Sequence, residues 1–221
     1  MSTIHEAPMA RRVLATRNRS WARRSAAWLA ARNVQPNTVS MASIGCAAIG
    51  AAAFAASARR PASTQSALLI AAAACIQLRL LCNMLDGMLA VEGGLKTKTG
   101  DVFNELPDRL ADILILAGAG YAVRHVQHGP ALGWAAASLA LLTAYIRALS
   151  GSLGLPQHFL GPMAKQHRMF VLTVATIAAA IEAQVAPPHR ALVAGLIVIV
   201  LGSIATLWRR TALLLREANA R

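Results

Sequence analysis

Acidic residues are scarce in this chain: nine Asp and Glu stand against 22 Lys and Arg in 221 residues, for a formal net charge of +13. Cysteine is scarcer still. Cys46, Cys75 and Cys82 fall inside apolar runs without paired or metal-ligand spacing, which argues against a disulfide framework and a cysteine metal site and leaves buried packing. The N-terminus has no short apolar core followed by a small-residue cleavage site, so no removable signal peptide is expected. Its basic, acid-poor leader also fits an organelle transit peptide, the less favoured reading. No internal repeat of the inverted-transporter kind is visible.

What the chain does have is apolar residues, 56% of the total, too many for a soluble fold of this size. They form about six runs, each long enough to cross a hydrocarbon core of ~30 Å as a helix. Lipid cannot satisfy backbone polar groups, so the expected fold class is an all-α membrane protein with about six transmembrane helices. The basic residues sit at membrane edges. With a cytoplasmic N-terminus, only Arg59, Arg60, Arg124 and Arg190 face outside, while Arg79, Arg109 and Arg147 lie within or at the ends of spans. This positive-inside bias sets both termini in the cytoplasm and removes the need for a nucleic-acid partner.

Residues 11–32 place Leu14, Trp21 and Trp28 seven apart with arginines on the other faces, the pattern of an amphipathic helix lying in the headgroup layer; a disordered basic tail is the alternative. Pro36-Asn37-Thr38 breaks it and can start the next helix, with Asn or Thr as a cap. Spans are expected over about 38–57, 66–90, 100–123, 130–150, 168–186 and 190–208. The division is thus a tail and juxtamembrane helix (1–35), a six-span domain (36–210) and a cytoplasmic tail (211–221).

The few acids are not scattered. Asp86, Asp101, Glu105, Asp108 and Asp112 flank one short loop, with Glu92 between them. Ionisable groups at a bilayer are costly and normally face the bundle interior. Asn83 and Asp86 are three apart, and Asp101, Asn104, Glu105, Asp108 and Asp112 recur at three and four, so each set lines one helix face. Two facing stripes of hard oxygen donors suit Mg²⁺ or Mn²⁺, which would hold a pyrophosphate during phosphoryl transfer. Gly87, Gly93, Gly94 and Gly100 would let a nucleotide approach the backbone. The competing reading is that the acids form salt bridges with Arg79, Lys96, Lys98 and Arg109. It is disfavoured here because the acids on one face outnumber the cations within easy reach.

The run Asn83-x-x-Asp86-Gly87-x-x-Ala90, nine residues, Gly100-x3-Asn104-x3-Asp108 resembles the motif of the CDP-alcohol phosphotransferases, D-x-x-D-G-x-x-A-R-x8-G-x3-D-x3-D, at every spacing. The likeness extends to the Pro36 entry, the six-span layout and the basic segment between spans four and five. The departures are Asn83 and Asn104 for two aspartates and Val91 for the arginine.

The resemblance implies Asp108 as general base and metal ligands at Asn83, Asp86, Asn104 and Asp108, with Asp101 and Glu105 as further candidates. It implies donor contacts at Gly87, Ala90 and Gly100, with Arg79 or Arg109 in place of the missing arginine. An anionic acceptor would meet Arg147, Lys165, His167 and Arg168. The implied activity is metal-dependent transfer of a phosphatidyl group from CDP-diacylglycerol to a small, phosphorylated alcohol, with release of CMP. It would take place in a homodimer among membrane lipids of a bacterial inner membrane, with the site on the cytoplasmic side. Two alternatives stand: an impaired member that binds lipid or nucleotide for assembly, and a transporter. The second should place charge deeper, yet spans one, four, five and six offer little beyond Arg147 and Glu182.

Overall fold

The computed structural model describes residues 20–91, 99–185 and 190–220, apart from the side chain of Asp101. Leu14 and the rest of residues 11–19, Glu92, Gly93, Gly94, Lys96 and Lys98 lie outside the described residues, as does the proposed role of Asp101. Among the described residues there are seven helices and no strand: α1 (Ser20–Ala31), α2 (Pro36–Ser57), α3 (Ala62–Val91), α4 (Gly100–Ala122), α5 (Gly129–Ser152), α6 (Lys165–Val185) and α7 (Arg190–Asn219).

Five of these, α2, α3, α5, α6 and α7, are long and apolar enough to cross a membrane. The helix α4 has the length, but carries Asp101, Glu105, Asp108, Arg109 and Asp112 within its first 13 of 23 residues. It also contains Pro107, which cannot donate to the carbonyl of Phe103 and so loosens the helix beside Asp108. Two expected boundaries change. Pro36 is the first residue of α2, so Asn37 and Thr38 lie within its first turn, and Gln35 precedes it without a side-chain cap. The last helix runs unbroken to Asn219, past the tail expected to start at 211.

The six long helices close a ring in which α2 packs on α3, α3 on α6, α6 on α7, α7 on α5, α5 on α4 and α4 on α2. Within it the core mixes small residues such as Ala47, Ala72, Ala119, Ala136 and Ala179 with Phe54, Leu69, Ile76, Ile115, Met169 and Leu196. Large apolar side chains also point outward, Trp208 at 76% and Phe170 at 68% exposure, as a lipid-facing surface requires. Where lipid surrounds every helix, close backbone approach through small residues takes over from water exclusion as the source of packing energy. The contact of α4 with α5 shows this, because a Cβ on Gly120 would sit 2.8 Å from the Cα of Gly133. Gly120→Ala is therefore expected to destabilise the protein by about 1–3 kcal/mol, measured as a lower thermal midpoint in detergent.

The short α1 lies against the end of α3, where Ala22 and Ala26 pack with Met84, Leu85, Met88 and Leu89. Its Trp21 and Trp28 stay exposed, and the Arg32 guanidinium lies 3.6 Å from the Trp28 ring centroid. That places aromatic and cationic groups together on the free side of the helix, the combination that suits a lipid headgroup layer.

Candidate active site

Because helices consecutive along the chain run in opposite directions within the ring, the C-terminal ends of α3, α5 and α7 meet the N-terminal ends of α2, α4 and α6. Nearly every buried charged group lies at this end. On α3, Asn83 and Asp86 are one turn apart. Asp86 is 4% exposed, and its Oδ2 accepts a hydrogen bond from Ser40 Oγ of α2 at 2.6 Å. Its Oδ1 is buried and has no partner.

From α4, Asp108 faces these residues. Asn83 donates an amide N–H to Asp108 Oδ1, and Lys165, the first residue of α6, donates its ammonium to Asp108 Oδ2. One turn further along α4, Asp112 is 2% exposed and bridges two buried guanidinium groups, Arg79 of α3 and Arg168 of α6. Arg79 also donates to the backbone oxygen of Asp108 at 3.1 Å. Lys165 is set in place by the preceding loop. Gly161 adopts a φ of +119°, a conformation open to glycine, and its α-carbon lies so near Thr206 of α7 that a Cβ would reach 2.5 Å from that side chain. The Thr206 hydroxyl in turn accepts the Met163 N–H at 2.9 Å.

Glu105, a candidate metal ligand in the sequence, is paired with two arginines. Its two oxygens accept from Arg109 at 2.8 Å and from Arg147 of α5 at 2.5 Å. That pairing corrects the expectation that acids outnumber cations. Among the described side chains Asp86, Glu105, Asp108 and Asp112 meet Arg79, Arg109, Arg147, Lys165, Arg168 and Arg210. Among the described side chains positive groups thus outnumber negative ones at this end, which suits a ligand that brings negative charge.

The remaining expected residues separate into those at the centre and those aside. Gly87 and Ala90 continue α3 past Asp86, and Gly100 opens α4. Asn104 is exposed and one turn before Asp108. Arg79, expected at the donor, is fully buried on Asp112, and Arg109, also expected there, is held by Glu105. Three of the expected acceptor residues are engaged elsewhere: Lys165 on Asp108, Arg168 buried between Asp112, Thr143 and the Met163 carbonyl, and exposed His167 on the Pro162 carbonyl. Arg168 is 2% exposed at this position.

Two residues escape the sequence reading. Ser40 looks like one small residue among many, and only its contact with Asp86 distinguishes it. Arg210 looks like a basic anchor near the end of a span, yet it is buried, donating to the carbonyls of Leu160 at 2.8 Å and Thr143 at 2.7 Å. The signal for it was the polar stripe Ser203, Thr206 and Arg210 at spacings of three and four, all buried on α7. Arg210 and Arg147 line a small pocket with Ser150 and Ile146, and His158 and Glu217, 2.7 Å apart, also line it.

Whether these donors fit Mg²⁺ or Mn²⁺ turns on Asp86. No three His, Cys, Asp or Glu side chains converge as a metal-binding group among the described residues. A buried carboxylate oxygen without a donor is nevertheless costly, and a divalent cation is the partner such an oxygen suits. The residues therefore fit one hard cation at Asp86 Oδ1, with the amide oxygen of Asn83 as a neutral donor nearby.

Ring and centre together define a many-helix membrane bundle with a charged, oxygen-rich site at one end. This is the fold of solved structures of Mycobacterium tuberculosis phosphatidylinositol phosphate synthase (PgsA1). The structure of that protein with CDP-DAG bound superimposes with a TM-score of 0.73 at 20% identity, over 87% of this chain and 92% of that one. Its complex with manganese and citrate gives 0.73 at 20% identity over 87% and 88%, and its apo form 0.70 at 21% over 86% and 93%. No protein-family model and no curated protein matches the chain.

Proposed function

We propose that this protein is a metal-dependent phosphotransferase of the CDP-alcohol class, moving a phosphatidyl group from CDP-diacylglycerol to a small phosphorylated alcohol. The observation that carries the reading is the meeting of Asn83 and Asp86 with Asp108 and Lys165 at one end of the bundle, at the motif spacing and on the fold of a CDP-DAG-bound protein. In this reading the positive-inside pattern supports a cytoplasmic position for this end and both termini, and the resemblance implies a bacterial inner membrane. The catalytic unit is then residues 36–210, acting as a homodimer as the resemblance implies.

Asp108 is the general base in this reading. Its side chain is 13% exposed, and a carboxylate has about four acceptor sites, so the bonds from Asn83 and Lys165 orient it while leaving a lone pair for the alcohol O–H. The alcohol oxygen attacks the phosphorus that carries diacylglycerol, the P–O bond to CMP breaks, and the proton passes to Asp108. A divalent cation on Asp86 would supply neutralisation of the charge that builds on the departing phosphate.

The acceptor's phosphate is assigned to Arg147 and Arg210, which line one pocket. Arg147→Ala is expected to raise the KM for a phosphorylated alcohol about 10- to 100-fold, the worth of a charge-assisted hydrogen bond. Its kcat should stay within a few-fold. An unchanged KM would make Arg147 a membrane-edge anchor.

One observation favours a second reading, a binder without turnover: both Asp108 oxygens already accept a donor. Purified protein offered CDP-diacylglycerol, Mg²⁺ or Mn²⁺ and a panel of alcohols with and without phosphate separates the two. Metal-dependent CMP release that requires an alcohol supports the transferase. Donor binding without CMP release under every condition supports the binder.

A further inference from the structure

The asparagines at 83 and 104 remove two negative charges from the place where the resembling motif has aspartates. Nothing in the sequence says what balances the loss. In the structure the two remaining motif carboxylates differ sharply. Asp108 has a donor on each oxygen, Asn83 on one and the Lys165 ammonium on the other. Asp86 holds Ser40 on one oxygen and nothing on the other, although it is 4% exposed. Asp86 also lies within electrostatic reach of both Asp108 and Lys165.

We infer that the centre takes a single divalent cation, on Asp86, and that the ammonium of Lys165 is a built-in second cation, held on Asp108. The inference rests on the transferase reading for what the cation is used for, but not for how many bind. A second divalent ion beside Asp108 would have to displace Lys165 or stand against its charge, and among the described motif side chains would find, besides Asp108, the neutral amides of Asn83 and Asn104 to ligate it. The ammonium cannot dissociate. It carries one charge where a metal carries two, and two aspartates fewer leave correspondingly less negative charge to neutralise. Asn83 matches this arrangement better than aspartate would, because an amide can donate to Asp108 through nitrogen and still offer its oxygen to the cation.

Mn²⁺ binding to the full-length protein in nanodiscs tests the count, with bound ion measured by electron paramagnetic resonance and heat of binding. Wild type is expected to bind one Mn²⁺ with saturation, and Asp86→Asn to lose that binding. The triple variant Asn83→Asp, Asn104→Asp, Lys165→Met is expected to bind two, whereas the double aspartate variant that keeps Lys165 should bind one. Two ions in wild type, or none, would overturn the inference, as would an unchanged single site in Asp86→Asn. The wild-type count needs no altered protein to fold. The outcomes also separate this inference from the transferase reading: one Mn²⁺ without phosphatidyl transfer removes only the latter, and two Mn²⁺ with transfer removes only the former.

Discussion

Replacing Asp108 by Asn is expected to slow phosphatidyl transfer by two to four orders of magnitude, the range over which a positioned general base acts. The substitution keeps the shape of the side chain. Its oxygen can still accept from Lys165, and Asn83 can turn its amide to offer an oxygen to the new N–H, so packing at the α3–α4 contact survives. What it loses is the ability to take the alcohol's proton. Initial rates at saturating donor, on protein whose thermal midpoint is shown to match wild type, measure the effect. A rate within about five-fold of wild type would remove Asp108 from the chemistry.

The second large effect is on stability and comes from Asp112. This residue is 2% exposed and stands between Arg79, fully buried, and Arg168, 2% exposed. Removing the carboxylate in Asp112→Leu leaves two buried guanidinium groups facing each other without their counter-ion. Breaking a buried pair in this way costs about 3–5 kcal/mol, against a total stability of about 5–15 kcal/mol. The variant is expected to lose most of its folded population in detergent. The network is under-satisfied even in the intact protein, since Arg79 Nε, Arg79 Nη1 and Arg168 Nε lack partners. Replacing all three residues together, as Arg79→Met, Asp112→Leu, Arg168→Met, is therefore expected to recover much of the loss. Thermal unfolding of the two variants side by side measures the difference, and equal midpoints would show that unpaired guanidinium groups are not what destabilises Asp112→Leu.

Apolar run length was enough to read the helices because a bilayer imposes it: the six long helices start and end within a few residues of their expected positions, apart from the extension of α7 to Asn219. The facing of Asn83 with Asp108 was legible as well, since spacings of three and four put each on one face and a short loop joins the two helices. The partners of those residues were not legible. Lys165 lies 57 positions from Asp108, and only the closing of α6 onto α3 beside α4 brings its ammonium there. The same holds for Arg168 on Asp112 and Arg147 on Glu105. A reading by neighbouring charge counted Arg79, Lys96, Lys98 and Arg109 and missed the cations that arrive from α5 and α6. Ring packing, a long-range property, sets the electrostatics; the local pattern sets only where the carboxylates stand.

That local pattern carries the functional claim, and the fate of one phosphorus atom tests it. CDP-diacylglycerol labelled with ³²P in the phosphate next to diacylglycerol should be incubated with the purified protein, Mn²⁺ and a phosphorylated alcohol. The proposed reaction places all transferred label in a new phospholipid containing that alcohol and releases unlabelled CMP in equal amount. Donor that stays intact, or label that leaves the lipid fraction, would contradict it.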